Sequence, residues 1–358
     1  VVDEVEGRSP EELAYLRAVL AASAVAAEVL GVMEQVAERL APERSAALAA
    51  MIEQRFVTAL AARAGDLASA PAPAALAAFD RIFAAGFGHV HECAALFAGF
   101  PASPPTERIP HILTALHHHA QAQERLYALR ALLPPFRDYW STDRAADAAT
   151  RPALTRVSAG GHHGGFALYV PEHYDEAQPW PLVVALHGGS GNGRDFLWTW
   201  VRDAKRSGYL VIAPTAVGST WGEVDELGLL EILAWVRARY HVAADRVLLT
   251  GLSDGGTFTL VYGLAHPEVF RALAPCCGVF HPVNFSNGNL DRARDVPIYL
   301  VHGAQDFLFP VGLAHVTRDA LAAAGARLVY RELPELSHTY PRSENAAILD
   351  WFAAVTAT

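Results

Sequence analysis

The chain has 358 residues, long for one domain, and the apolar share of 52% against 18% charged leaves ample material for a packed core. The formal net charge of −10, with no Lys or Arg run, excludes a nucleic-acid backbone or an anionic membrane surface as the expected partner. Cys93, Cys276 and Cys277 are too few for a disulfide framework, and two are adjacent, so a reducing compartment is expected.

The first ten residues, "VVDEVEGRSP", have neither a basic start nor an apolar run, so no signal peptide is expected and the location is read as cytoplasmic. Ser9-Pro10-Glu11-Glu12 is a helix start, with Ser9 as N-cap, Pro10 at the first helical position and Glu12 closing a capping box. The apolar residues that follow keep a helical rhythm to Leu40, and Pro42 interrupts it. The stretch "LAYLRAVLAASAVAAEVLGV" carries Arg17 and Glu28 and is mostly alanine, which reads as a helix of a soluble protein and not a membrane span. Further helices are expected over 44–64, 74–98 and 109–133, with Pro134-Pro135 as the stop and 134–153 as a linker. Alanine allows close helix approach, so residues 1–153 are expected to be an all-helical domain with its linker. Its apolar stripes call for burial, either in a homodimer through these helices, the favoured outcome, or as a cap carrying Phe83, Phe87, Phe97 and Phe100.

The histidines of "HVHEC" (89–93) and "HHH" (117–119) suggest metal ligands at first sight. On one helix only positions three or four apart share a face, so His111 with His118, or two of the triplet, make no compact site unaided. Solvated or packing histidines, and no metal, are the expectation. His162-His163 reads as a hairpin tip.

From residue 154 the texture changes. "GFALYVP", "PLVVALHG", "YLVIAP", "RVLLTG", "PIYLVHG" and "RLVYREL" are strand-length apolar runs, and segments of helical periodicity lie between them. Such alternation predicts an α/β domain over 154–358, a mainly parallel sheet flanked by helices, with its site at the carboxyl ends of the strands.

Gly251-Leu252-Ser253-Asp254-Gly255 stands at one of those ends. The pattern G-x-S-x-G between strand and helix is that of a nucleophile elbow, in which a strained turn lifts a serine hydroxyl above the sheet. The bland alternative is a helix capped after a glycine-lined turn. A serine needs a base, and the base an orienting acid. Asp306 follows the strand "PIYLVHG", and His338 lies in a loop before the last helix, which gives the chain order Ser253, Asp306, His338. His302 is the rival base and sits in the strand; Asp291 and Asp295 are rival acids but precede it. For the oxyanion, the amides of Asp254 and Gly189 are expected donors, Gly189 belonging to "LHGGSGNG" (186–193). That loop lacks the G-x-G-x-x-G spacing and the Lys-Ser/Thr ending of phosphate loops. Gly188, Ser190, Trp221, Phe307 and Tyr340 are expected around the substrate, with His187 packed beneath the loop and Phe309 near the same end.

"LYVPEHYDEAQPWPLVVALHGGSGNG", "RVLLTGLSDGG", "VHGAQD" and the "SH" before the last helix together resemble α/β-hydrolase serine esterases, near the phospholipase/carboxylesterase and polyhydroxybutyrate-depolymerase or feruloyl-esterase-like branches. The resemblance covers the C-terminal half only and departs at Asp254, where such families often carry Gln or Ala. It implies hydrolysis of a small-molecule carboxylic ester through an acyl-enzyme, without cofactor. A peptidase or amidase of the same fold, and a hydrolase scaffold bearing a helical protein-binding module, are the alternatives.

Overall fold

A computed structural model describes residues 8–140, 154–157 and 165–357. The chain divides into two compact units, Val1–Ala148 and Ala149–Thr358.

The first unit is helical. Helix α1 (Pro10–Arg39) starts as its sequence dictates: Ser9 Oγ accepts from the Glu12 amide, and the Glu12 carboxylate accepts from the Ser9 amide, both at 3.1 Å. Among the described residues α1 alone is long and apolar enough to cross a membrane by length and composition. Its stripe from Tyr15 through Val19, Ala26, Leu30 and Met33 is buried within the unit. Helix α2 (Ser45–Ile52) runs through one wider turn, Glu53–Val57, into α3 (Thr58–Ser69). Helices α4 (Ala77–Gly99) and α5 (Arg108–Tyr127) pack along their length. Gly86 makes that approach possible, because a Cβ there would lie 2.6 Å from Leu126 Cδ2.

The fourth helix stops at Tyr127 and not at residue 133, and Pro134-Pro135 begins the short helix α6 (Pro134–Tyr139). Proline forces the residue before it out of helical geometry, and Leu133 is extended (φ −115°, ψ 112°). Proline at a first helical position loses no hydrogen bond, so the pair is a start signal as readily as a stop. Phe136 and Trp140 are buried, so this part of the expected linker belongs to the helical core. The remainder of that linker and the expected hairpin tip at His162-His163 lie outside the described residues.

The second unit is an eight-stranded sheet in the order β1-β2-β4-β3-β5-β6-β7-β8. The strands are β1 (Leu154–Val157), β2 (Phe166–Tyr169), β3 (Trp180–Leu186), β4 (Leu210–Pro214), β5 (Val242–Leu252), β6 (Ala272–Cys276), β7 (Pro297–Gly303) and β8 (Arg327–Leu333). Strand β2 pairs antiparallel with both β1 and β4, and the remaining neighbours, from β4 to β8, run parallel. Leu182 to Leu186 are all fully buried, because helices cover both faces and the strand has no polar side to show. The helices are α7 (Gly193–Leu197), α8 (Val201–Ser207), α9 (Glu223–Arg237), α10 (Asp254–Ala265), α11 (Val283–Ser286), α12 (Asn289–Arg292), α13 (Val311–Ala323) and α14 (Asn345–Thr356). This is the α/β-hydrolase architecture expected of the C-terminal region, preceded by a helical region. Strand β6 escaped the sequence reading: "ALAPC" has neither β-branched nor aromatic residues, and a proline argues against an inner strand.

Candidate active site

Ser253 joins β5 to α10 with φ 55° and ψ −113°, a left-handed-side backbone that a side chain adopts only under strain. The neighbouring glycines explain how the chain turns so sharply. A Cβ on Gly251 would lie 2.4 Å from the Gly255 carbonyl oxygen, and one on Gly255 the same distance from that of Leu186. The turn is anchored to the next strand, since the Ser253 amide donates to the Cys276 carbonyl at 2.9 Å. A helix therefore begins directly behind the hydroxyl, with its first amides turned outward and without intrahelical acceptors.

His338 and Asp306 come to this serine from the far end of the sheet. The His338 Nε2 lies 2.8 Å from Ser253 Oγ, and its Nδ1 lies 2.8 and 2.9 Å from the two Asp306 oxygens. The His338 side chain is 8% exposed and that of Asp306 not at all. Asp306 is held in turn by the amides of Leu308 (3.0 Å) and Phe309 (2.7 Å), both donating to Oδ1. Nδ1 facing a carboxylate carries the proton, which leaves Nε2 free to accept from the serine hydroxyl. The two loops are also tied to each other: the Ala304 amide donates to the Leu333 carbonyl and that of Gln305 to Leu336. Gly303 permits the contact, for a Cβ there would lie 2.3 Å from the Leu336 carbonyl oxygen.

The rivals are placed elsewhere. His302 is buried in β7, its Nε2 2.8 Å from the Phe309 carbonyl and 3.5 Å from Asp306 Oδ2, and burial lowers its pKa. Its Nδ1 is buried with no hydrogen-bond partner among the described residues. Asp291 and Asp295 are exposed and precede β7, at the opposite end of that strand from His338. Cys277, His302 and Asp306 bring three buried potential metal ligands together, but both Asp306 oxygens face His338 and burial holds the Cys277 thiol protonated.

The glycine loop after β3 lies across the serine. A Cβ on Gly188 would be 3.5 Å from Ser253 Cβ, and one on Gly189 4.0 Å from Asp254 Cβ. Ser190, exposed and at φ 59°, donates its amide to the Ser219 carbonyl at 2.6 Å. His187 is buried beneath the loop: its Nε2 accepts from the Ala216 amide at 3.0 Å, so Nδ1 carries the proton and donates to the Gly188 carbonyl at 2.6 Å. Burial lowers its pKa, consistent with a neutral ring.

Segment 215–222 forms a wall beside that loop, and two carboxylates pin it. Asp225 accepts from the amides of Val217 and Gly222, and Asp254 Oδ2 accepts from the Trp221 amide at 2.6 Å. Burial raises the pKa of Asp254, although the Trp221 bond opposes the shift. The Asp225 part had a signal in the sequence, the capping arrangement Gly222-x-x-Asp225, which was not read. The Asp254 part had none.

Of the aromatic residues expected around the substrate, Phe307 is half-buried with its ring centroid 6.4 Å from that of His338, and Phe309 lies closer, at 5.2 Å. Trp221 is buried and donates its indole N–H to the His187 carbonyl at 2.8 Å. Tyr340 is buried and donates its hydroxyl to Asn345 at 2.9 Å. These two brace the loops from within.

The family described as Phospholipase/Carboxylesterase matches residues 228–355. Feruloyl esterase B of Neurospora crassa is 31% identical over 129 residues, 32% of this chain and 43% of that protein. A bifunctional acetylxylan esterase/xylanase of Neocallimastix patriciarum is 33% identical over 133 residues, 35% of this chain and 19% of that protein. The matches thus span less than half the length of either relative. Among solved structures, an S-formylglutathione hydrolase from Agrobacterium tumefaciens is similar with a TM-score of 0.48 and 16% identity, over 57% of this chain and 94% of that one. The C-terminal region has the α/β-hydrolase fold and resembles the serine esterases of the phospholipase/carboxylesterase branch.

Proposed function

We propose that the chain hydrolyses carboxylic esters through an acyl-enzyme formed on Ser253. The observation that carries this reading is the hydrogen-bonded series Asp306, His338, Ser253, with the imidazole 2.8 Å from the hydroxyl oxygen. In the proposed reaction Ser253 Oγ attacks the ester carbonyl as its proton passes to His338 Nε2. Asp306 keeps the imidazole in the required tautomer and stabilises the imidazolium that forms. The tetrahedral oxyanion takes hydrogen bonds from the amides of Asp254, at the start of α10, and Gly189. His338 then protonates the departing alkoxide. Water, deprotonated by the same imidazole, attacks the acyl group and releases the acid and free Ser253.

Two relatives are named as feruloyl and acetylxylan esterases, which makes aryl and acetyl esters the first substrates to test. The full chain is expected to hydrolyse p-nitrophenyl acetate or methyl ferulate and to take one fluorophosphonate label. Ser253→Ala is expected to abolish the label and lower kcat by about 10⁴–10⁶. A label that persists in this variant would overturn the reading.

A further inference from the structure

Asp254 enters the proposed hydrolysis through its backbone amide, and its side chain has no part in that scheme. The carboxylate is nevertheless committed: Oδ2 accepts from the Trp221 amide at 2.6 Å. The esterases that the sequence resembles often carry Gln or Ala at this place, and alanine offers no acceptor at all.

Trp221 passes the tether on. Its indole N–H donates to the His187 carbonyl at 2.8 Å, and the two rings pack with centroids 4.9 Å apart. His187 accepts from the Ala216 amide, near the start of the wall, and donates to the Gly188 carbonyl. The Ser219 carbonyl accepts from the Ser190 amide. The wall and the glycine loop are therefore laced together on both sides of Gly189. Helix α10 holds this pair of segments through Asp254 at Trp221 and through Tyr262, whose buried hydroxyl donates to the Gly222 carbonyl. The Asp254 tie lies next to the nucleophile.

Gly189 sits where the lacing matters. Among the described residues the amides of Ser190 and Gly191 are taken up by the Ser219 and Gly188 carbonyls, and the Gly189 amide donates to no backbone carbonyl. A Cβ on Gly189 would lie 3.8 Å from the Ser219 oxygen, 3.9 Å from Thr220 Cγ2 and 4.0 Å from Asp254 Cβ. The expected oxyanion donor thus lies against the wall and Asp254 together. An oxyanion hole works by having its donors fixed before charge develops. Here one donor is rooted in the elbow and the other in a separate loop, and the Asp254 carboxylate joins the two.

We propose that the Asp254 carboxylate is a positioning residue for the oxyanion hole, fixing the Gly189 amide relative to the Asp254 amide through Trp221 and His187. The proposal rests on the ester-hydrolysis reading above. A carboxylate in the first turn of α10 also favours the helix dipole, and that role alone would change Tm and leave kcat untouched.

The test is kinetic, on the full-length chain with p-nitrophenyl acetate, with Tm measured alongside. Asp254→Ala is expected to lower kcat by about 10- to 100-fold with KM held within about twofold, because a misplaced donor is lost from the transition state and not from the ground state. The inhibition constant of trifluoroacetophenone, whose adduct with Ser253 puts an oxyanion in the same hole, should rise by the factor by which kcat/KM falls. Asp254→Asn still offers the Trp221 amide an acceptor and is expected to recover most of the loss. Trp221→Phe breaks the tether at the indole and should give the same pattern, so it carries the test alone if Asp254→Ala does not fold. The double variant should lose no more than the worse single one. The proposal is overturned if both single variants keep their kcat, if kcat falls with the inhibition constant unchanged, if Asp254→Asn is as slow as Asp254→Ala, or if the two losses add. Turnover that persists in Ser253→Ala would instead overturn the hydrolysis reading, and the proposal with it.

Discussion

The two units bury polar groups in different ways. In the sheet unit, Ser253, Asp306 and His338 each stand in a loop after a parallel strand, β5, β7 and β8, so the sheet delivers them to one edge in chain order. In the helical unit, beyond local contacts such as the Ser9–Glu12 cap, the polar contacts between helices join residues that no local pattern connects. Tyr139 donates to Glu34 across 105 residues, His119 Nε2 lies 3.0 Å from the Leu30 carbonyl, and His89 meets His118. A parallel sheet converts sequence order into position. A helical bundle does so only after the packing of each pair of helices is known.

Three substitutions would break or sharpen this contrast. The largest effect is expected for Asp306→Asn, which keeps the shape of the side chain but offers Nδ1 an amide in place of a carboxylate. Ester turnover is expected to fall by about 10⁴ with Tm little changed. Near-normal kcat would show that the sheet edge delivers the acid from another residue, and His302 would need re-examination as an organiser of that edge.

A moderate effect is expected at the helix pair. Gly86→Val puts branched carbons where even a Cβ would lie 2.6 Å from Leu126, which is fully buried. Overpacking of this kind costs about 1–3 kcal/mol in denaturant unfolding. Wild-type stability would mean that α4 and α5 can slide apart freely, and the specificity of the His89–His118 contact would go with it.

The smallest effect concerns the carboxylate after the serine. The pKa of Asp254 is raised in the folded protein, so its ionised form costs stability, in full above that raised value and not at all below the ordinary carboxylate range. Asp254→Asn keeps an acceptor for the Trp221 amide and removes the charge. Its Tm is expected to exceed the parent's at pH 8, the gap closing as pH falls to 4. A constant gap across that range would assign the effect to packing.

What could be read in advance follows the same division. The aliphatic runs "PLVVAL", "YLVIAP" and "PIYLVHG" became β3, β4 and β7 because strands buried on both faces leave no other use for such residues, and "RLVYREL" became the half-exposed border strand β8. The order of serine, acid and histidine was visible for the reason already given. Strand β6 was hidden because alanine and proline carry no strand preference, and its place rests on pairing with β5 and β7. The Pro134-Pro135 pair was ambiguous because the same residue ends one helix and begins another. The clamp of Asp254 on Trp221 joins positions 33 residues apart and has no spacing rule behind it.

The close approach at Gly303 has a further consequence for how the protein fails. Strand β8 is the outermost strand of the sheet, bordered on one side only, by β7. His338 enters from the loop that leaves this border strand, whereas Ser253 is rooted in the interior at β5. The amides of Ala304 and Gln305 lash the histidine's loop to the inner strand just where Gly303 lets the two backbones touch. The reactive geometry is therefore as durable as this short seam, and not as the whole sheet. Fraying of the border would part His338 from Ser253 while the interior strands stay paired, so the proposed ester turnover is expected to be lost on heating before the structure is.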